Sequence, residues 1–116
     1  MKIIYYLSTC DTCKRILKEL NPSGDFTLQD IKNDAVTLDQ LEEMKILTGS
    51  YEALFSKRAR LYKERGLKNQ ELTEVDYKEL ILEHYTFLKR PVIIADDLIF
   101  VGNSAKTIAS AKEAIA

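Results

Sequence analysis

Two cysteines separated by two residues, Cys10 and Cys13, are the side chains of this sequence whose type and spacing best suit redox chemistry. They follow an apolar run at residues 3–7, which predicts a buried strand. They precede a segment whose apolar positions recur at helical spacing. A C-x-x-C pair on a strand-to-helix turn is typical of thiol–disulfide redox sites.

Cys10 is the predicted nucleophile of this pair. The reactive form of a cysteine is the thiolate, and the free N–H groups and partial positive charge at a helix N-terminus favour that form. Lys14 and Arg15 lie nearby in the sequence and add positive charge. Cys13, one helical turn further on, is the candidate resolving thiol that closes a disulfide with Cys10.

Three other interpretations of the pair remain open. A structural disulfide over this spacing closes a loop too small to stabilise the fold much. A structural zinc site needs four ligands, and His84, the only histidine, is the one further soft or borderline ligand. The cysteines can also be small, inert core residues.

Two further kinds of site are disfavoured by the residues themselves. His84 is expected to be a partly buried or surface residue of a helix and not a catalytic residue, because no acid–base partner stands beside it. A phosphatase cradle in its usual form is excluded, because only four residues, none of them glycine, separate Cys10 from Arg15.

The composition is that of an ordinary globular chain, and 116 residues are expected to form one domain. The net charge of −1 argues against a general nucleic-acid or membrane-surface binder, and no apolar run reaches membrane-spanning length. The first residues enter a strand pattern directly, so no secretory signal is predicted. Closely spaced cysteines then favour the reducing cytoplasm. No metal site is expected.

The predicted elements follow the order β-α-β, a helical insertion at about residues 37–88, and β-β-α. The strand at residues 26–31 is expected to pair in parallel with the first strand, because a helix connects the two. Two apolar runs flanking Asp96 and Asp97 predict an antiparallel hairpin. This order predicts an α/β fold of the thioredoxin-like type, with a mixed four-stranded sheet and extra helices between its halves.

Capping residues and apolar spacing define two of the predicted helices. Thr37 with Gln40 is a candidate capping box, and Ser104 is expected to cap the last helix. The first of these helices is predicted to run through Leu38, Leu41, Met44, Ile46 and Leu47, with Met44 filling the core. The inner side of the last helix is predicted to hold Ala105, Ile108, Ala109 and Ile115.

Arg90 stands directly before Pro91, at the head of the first hairpin strand. The predicted layout places Arg90 beside the Cys10 turn, where a guanidinium stabilises a thiolate or holds an anionic group. We also predict a cis Arg90–Pro91 bond, which exposes backbone there for pairing with an extended thiol partner.

Four segments together resemble a known family. They are Cys10-Asp11-Thr12-Cys13-Lys14, LYKERGL at residues 61–67, LKRPVI at residues 88–93 and Val101-Gly102. Over nearly its whole length the chain is similar to the arsenate reductase ArsC / Spx / YffB family. The resemblance implies one thioredoxin-like domain over residues 1–116, a catalytic cysteine at Cys10, and a cis-proline at Pro91 after the characteristic Arg90. Thr9, Arg58 and Pro91 are the predicted substrate-binding residues.

Two departures from the family pattern limit what the resemblance implies. The glutaredoxin-linked arsenate reductases of the family hold the oxyanion with three arginines. Arg90 matches one, Ser56 stands where the first is expected with Arg58 two residues on, and no arginine follows Arg90. Each missing contact costs about 1.5–3 kcal/mol, so losing two weakens arsenate handling about a hundredfold or more. Those reductases also lack a second cysteine at Cys13, whereas Spx-type regulators and two-cysteine redox members carry it.

Three functions therefore compete. In the first, a thiol-dependent oxidoreductase, Cys10 attacks a disulfide or an oxidised sulfur or arsenic centre, and Cys13 or glutathione resolves the adduct. Glutaredoxin or thioredoxin then regenerates the dithiol, and no tightly bound cofactor is expected. The second is an Spx-like redox-sensing regulator acting through RNA polymerase. The end of the chain at Ala116 counts against it, because such regulators continue past the last helix. The third is a redox-inert scaffold.

Overall fold

The computed structural model describes all 116 residues. The chain forms two compact units, one built from Met1–Asp34 with Arg90–Ala116 and the other from Ala35–Lys89. The strands are β1 (Lys2–Tyr6), β2 (Thr27–Asp30), β3 (Val92–Ala95) and β4 (Leu98–Val101). The α-helices are α1 (Asp11–Leu20), α2 (Leu38–Thr48), α3 (Arg60–Glu64), α4 (Glu74–Glu83) and α5 (Ala105–Ile115). Short 3-10 helices lie at Glu52–Leu54, Leu67–Asn69 and Tyr85–Phe87.

The first unit contains a mixed four-stranded sheet in the order β2-β1-β3-β4. β1 pairs in parallel with β2 and antiparallel with β3, so that Ile4 lies between Leu28 and Ile93. β3 and β4 form the predicted antiparallel hairpin around Asp96 and Asp97. The predicted α/β fold of the thioredoxin-like type, with its mixed sheet, is therefore confirmed.

One apolar cluster joins the central strands of this sheet to α1 and α5. Its buried members are Ile4, Ile16, Leu20, Ile93, Ile108 and Ala111. Since residues of both helices meet Ile4 and Ile93, α1 and α5 cover the same face of the sheet. Burial of these side chains is the main favourable term that holds α1 against the sheet. Cys13 lies in the first turn of α1, and Cys10 is its N-cap residue.

The buried face of α5 differs in part from the predicted one. The Ser104 hydroxyl accepts a hydrogen bond from the Thr107 N–H at 3.1 Å, as expected of an N-cap. Ile108 is buried as predicted, but Ala105 and Ala109 are exposed and Ala111 is buried in their place. Alanine is a weak marker of the inner face, because its small side chain is common on both faces of a helix.

The second unit begins with α2, whose predicted capping box is present. Thr37 and Gln40 exchange two hydrogen bonds of 3.1 Å between side chain and backbone. Leu41 and Met44 are fully buried, which confirms that Met44 fills the core, whereas Leu38 is 44% exposed and Ile46 is 78% exposed. Two residues advance a helix by about 200°, so Ile46 points away from the side on which Met44 is buried.

Aromatic side chains build the core of the second unit. The rings of Phe55 and Phe87 stack with centroids 5.3 Å apart, and Tyr77 lies 4.8 Å from Phe55. His84 is partly buried at the end of α4, and its Nδ1 accepts a hydrogen bond from the Thr86 N–H at 3.0 Å. None of the helices in either unit combines the length and apolar character that crossing a bilayer requires.

Candidate active site

Cys10 occupies the N-cap position of α1. Its N–H donates to the Leu7 carbonyl at 3.0 Å, which closes the turn after β1, and its own carbonyl accepts from the Lys14 N–H at 3.2 Å. The Cys10 side chain makes no capping hydrogen bond of ordinary length and angle. The N–H groups of Cys13 and Thr12 nevertheless lie close enough to favour its thiolate. The sulfur therefore lies where the N–H groups of the first helical turn are free.

The pKa of the Cys10 thiol is lowered from its ordinary value by the balance of opposing effects. Partial burial raises this pKa, and it is outweighed by hydrogen bonds from the Cys13 N–H and the Cys13 thiol, the charge of Arg90 and the Thr12 N–H. Hydrogen bonds to the charged form and a nearby opposite charge both favour ionisation. Cys10 is therefore the thiol of the pair that ionises first.

Cys13 has the opposite environment. Its side chain is buried, with 1% of the residue exposed, and burial raises its pKa to about 11. The negative charge of Cys10 raises this pKa further, while a backbone hydrogen bond with Leu7 and the charge of Arg90 oppose the shift. Both cysteines are free thiols, in contact with each other but not bonded. This asymmetry suits one thiol to attack and the other to resolve.

Arg90 belongs to the same unit and acts electrostatically on both thiols. The Arg90–Pro91 bond is cis, so this prediction is confirmed. Pro91 is buried at the start of the β3 segment, and its carbonyl accepts a hydrogen bond from the Gly102 N–H at 2.9 Å. Thus the structure brings Cys10, Cys13 and Arg90 together from opposite ends of the sequence.

Two of the other predicted site residues, Thr9 and Arg58, are exposed. Thr9 is exposed in the turn before Cys10, which leaves it accessible from solvent. Arg58 is exposed in the second unit, in the segment before α3. Substrate binding by Thr9, Arg58 and Pro91 stays a prediction.

One residue of this region was not singled out by the sequence. Asp30, at the end of β2, accepts a hydrogen bond from the Ser8 N–H at 3.2 Å. An acidic residue at the end of a strand is common and carries no motif, so its contact with the cysteine turn was not predictable. Elsewhere, no group of three or more His, Cys, Asp or Glu side chains is arranged to hold a metal ion.

Residues 5–111 match the model of the ArsC family. The chain belongs to the ArsC family. This confirms the resemblance inferred from the C-x-x-C, LKRPVI and Val-Gly segments. The match spans both compact units, because it runs through the whole of Ala35–Lys89.

The named proteins that are similar to this chain include a transcriptional regulator and an arsenate reductase. A curated relative from Bacillus anthracis, named global transcriptional regulator Spx 2, is 26% identical over 105 residues, which cover 88% of this chain and 79% of the relative. The solved structure of a YFFB protein superimposes with a TM-score of 0.78 at 21% identity, with full coverage of both chains. An arsenate reductase from Vibrio cholerae superimposes with a TM-score of 0.73 at 19% identity, covering 99% of this chain and 97% of that one. The two structures support the fold, and their sequences are too distant to transfer an activity.

Proposed function

We propose that this ArsC-family chain is a thiol-dependent oxidoreductase in which Cys10 is the nucleophile and Cys13 the resolving thiol. The observation that carries the proposal is the asymmetry of the pair. Cys10 lies at a helix N-terminus with a lowered pKa, and the buried Cys13 thiol is in hydrogen-bonding contact with it. Inert core cysteines do not require such an arrangement, and a catalytic pair does.

The proposed reaction consists of two thiol–disulfide exchanges. The Cys10 thiolate attacks one sulfur of a substrate disulfide, the substrate S–S bond breaks, and one substrate thiolate leaves while a mixed disulfide forms on Cys10. Cys13 then loses its proton to solvent and attacks the Cys10 sulfur, which expels the second substrate thiolate and leaves a disulfide between Cys10 and Cys13. Two electrons have passed from the dithiol to the substrate.

Regeneration requires an external reductant, for which we propose glutathione with glutaredoxin, or thioredoxin. Two thiols of the reductant supply the two electrons and are themselves oxidised to a disulfide. A reducing compartment such as the cytoplasm keeps the pair in its active dithiol form. Both thiols are free in the structure, which is the form that begins the cycle.

A disulfide is a better candidate substrate than arsenate. Arg90 is the one arginine whose charge acts on Cys10, and the first unit has only Arg15 besides, exposed on α1. An oxyanion that three arginines bind in other members would lose charge-assisted contacts here, at about 1.5–3 kcal/mol each. A disulfide carries no net charge at the reacting sulfurs and needs no such set.

The test compares turnover of two substrates by the same protein. We expect measurable reduction of a mixed disulfide of glutathione, with glutathione as donor and glutathione oxidation as the readout. Arsenate reduction with glutathione and glutaredoxin should be slower by at least about a hundredfold. Cys10→Ser should abolish both activities. Cys13→Ser should abolish the activity in which Cys13 resolves the adduct on Cys10, and any activity that it retains is resolved by glutathione. A disulfide-reduction rate no higher than that of Cys10→Ser would refute the proposal.

The named relative supports a second candidate function. Its name, global transcriptional regulator Spx 2, with 26% identity over most of this chain, favours a transcriptional regulator. The resemblance to Spx-type proteins implies that such a regulator senses oxidation and contacts RNA polymerase. The same Cys10 and Cys13 pair would then report oxidation instead of turning over. Capture of purified RNA polymerase that depends on oxidation of the pair, together with no turnover of disulfides, would favour the regulator over the enzyme.

A further inference from the structure

The carboxylate of Asp30 links two turns of the first unit. Oδ1 accepts hydrogen bonds from the N–H groups of Ser8 and Lys32, both at 3.2 Å, and Oδ2 accepts one from Asn33 Nδ2 at 2.8 Å. The Ser8 hydroxyl also donates to this carboxylate. Ser8 belongs to the turn after β1, whereas Lys32 and Asn33 belong to the turn after β2. One side chain therefore bridges segments that are 22 residues apart in sequence.

The first of these turns carries the nucleophile. Ser8 stands two residues before Cys10, in a turn closed by the hydrogen bond from the Cys10 N–H to the Leu7 carbonyl. On the other side of the bridge, the Ile31 N–H donates to the Tyr6 carbonyl at 2.9 Å and extends the pairing of β1 with β2. Asp30 thus connects the sheet pairing directly to the turn that leads into α1.

We propose that Asp30 is a positioning residue for Cys10: its carboxylate holds the turn over residues 7–10 so that the Cys10 sulfur stays at the N-terminus of α1. The inference rests on the proposed role of Cys10 as nucleophile. The contacts that favour the thiolate are short-range hydrogen bonds from the first turn of the helix and the charge of Arg90. A small displacement of the turn weakens the hydrogen bonds first, because their strength falls steeply with distance and angle.

A substitution of Asp30 changes both its charge and its hydrogen bonds, and the expected effects of these two changes on Cys10 differ. Loss of the negative charge alone should not raise the Cys10 pKa, because a negative charge disfavours ionisation of a thiol. Loss of the hydrogen bonds to Ser8 frees the turn and raises that pKa. Asp30→Asn removes the charge and keeps an oxygen acceptor for Ser8, whereas Asp30→Ala removes both.

The experiment measures the rate of Cys10 alkylation against pH in three variants of the full chain. For Asp30→Ala we expect the apparent Cys10 pKa to rise by about half a unit or more, which leaves about threefold less thiolate below both pKa values. For Asp30→Asn we expect no rise. Asp25→Ala is the matched control, since Asp25 is an exposed carboxylate of the same unit that pairs with Lys2 at 3.8 Å. It should leave the profile unchanged.

A second measurement separates this inference from the proposed function. Amide hydrogen exchange at Cys10 reports the turn directly, and Asp30→Ala should accelerate it while leaving the Ile93 amide of the central sheet protected. Ser8→Ala, which removes one of the donors, should accelerate it less and serves if Asp30→Ala does not fold. An unchanged Cys10 pKa together with unchanged exchange at Cys10 would overturn the role of Asp30. An ordinary Cys10 pKa in the wild type would refute the proposed function, and the exchange rates would still decide whether Asp30 holds the turn.

Discussion

The asymmetry between the two thiols predicts that a limiting amount of a small alkylating reagent modifies Cys10 well before Cys13. The pKa of Cys13 is raised from the ordinary value of 9.0 to about 11, and that of Cys10 is lowered from the same ordinary value. The two pKa values therefore differ by at least about 2 units, so near neutral pH the thiolate is at least roughly 100-fold more populated at Cys10.

Intrinsic reactivity partly offsets this population difference. A thiolate of higher pKa is a better nucleophile, with a Brønsted coefficient of about 0.4–0.5, which favours Cys13 by roughly 6–10-fold over 2 units. The expected ratio of rates is then at least about 10–16 in favour of Cys10. Burial of Cys13, of which 1% is exposed, increases the ratio further because the reagent cannot reach the sulfur.

The assay is mass-spectrometric mapping of initial alkylation at neutral pH under reducing conditions, with reagent below one equivalent. Initial rates are required because a modified Cys10 no longer acts on Cys13. In Cys10→Ser the remaining Cys13 thiol should stay slow, because burial, the largest cause of its raised pKa, is unchanged. Equal rates at the two thiols, or faster reaction at Cys13, would refute the assignment of nucleophile and resolving thiol.

Three further outcomes follow from the same structure. Arg90→Met should raise the pKa of Cys10, because the charge of Arg90 lowers it, although the hydrogen bonds from Cys13 lower it more. Ultraviolet titration of the thiolate measures the shift, and an unchanged pKa would contradict an electrostatic role. The raised pKa of Cys13 contributes stability that is fully present below about pH 9 and is lost as the pH rises through about 11, so the free energy of unfolding should fall there by about 2–3 kcal/mol. Cys13→Ser should reduce that fall, and an identical pH profile in urea unfolding would count against the shift. Ile93→Ala should destabilise the protein by about 2–5 kcal/mol, because Ile93 is fully buried in the apolar cluster between sheet and helices. Ile46→Ala, at a position that is 78% exposed, should cost less than about 0.5 kcal/mol in the same urea experiment, and equal losses would place the core elsewhere.

Much of the fold was predictable because its signals are local. The capping box of Thr37 and Gln40, the cap at Ser104 and the hairpin around Asp96 and Asp97 each depend on residues within a few positions of one another. The place of Cys10 between a strand and a helix has the same origin. The error in the helices falls where local periodicity is ambiguous, because the alanines of α5 do not distinguish its two faces.

The candidate site divides in the same way. Residue types and spacing were sufficient to select Cys10, Cys13 and Arg90, which the structure brings together, and their roles in a reaction stay predictions. The difference in acidity between Cys10 and Cys13 required the tertiary structure, because burial of Cys13 depends on how α1 packs against the sheet. The contact of Asp30 with Ser8 required it as well, since only the parallel pairing of β1 with β2 brings those residues together. Interactions between distant segments depend on the packing of the whole unit, and no pattern along a single strand or helix encodes them.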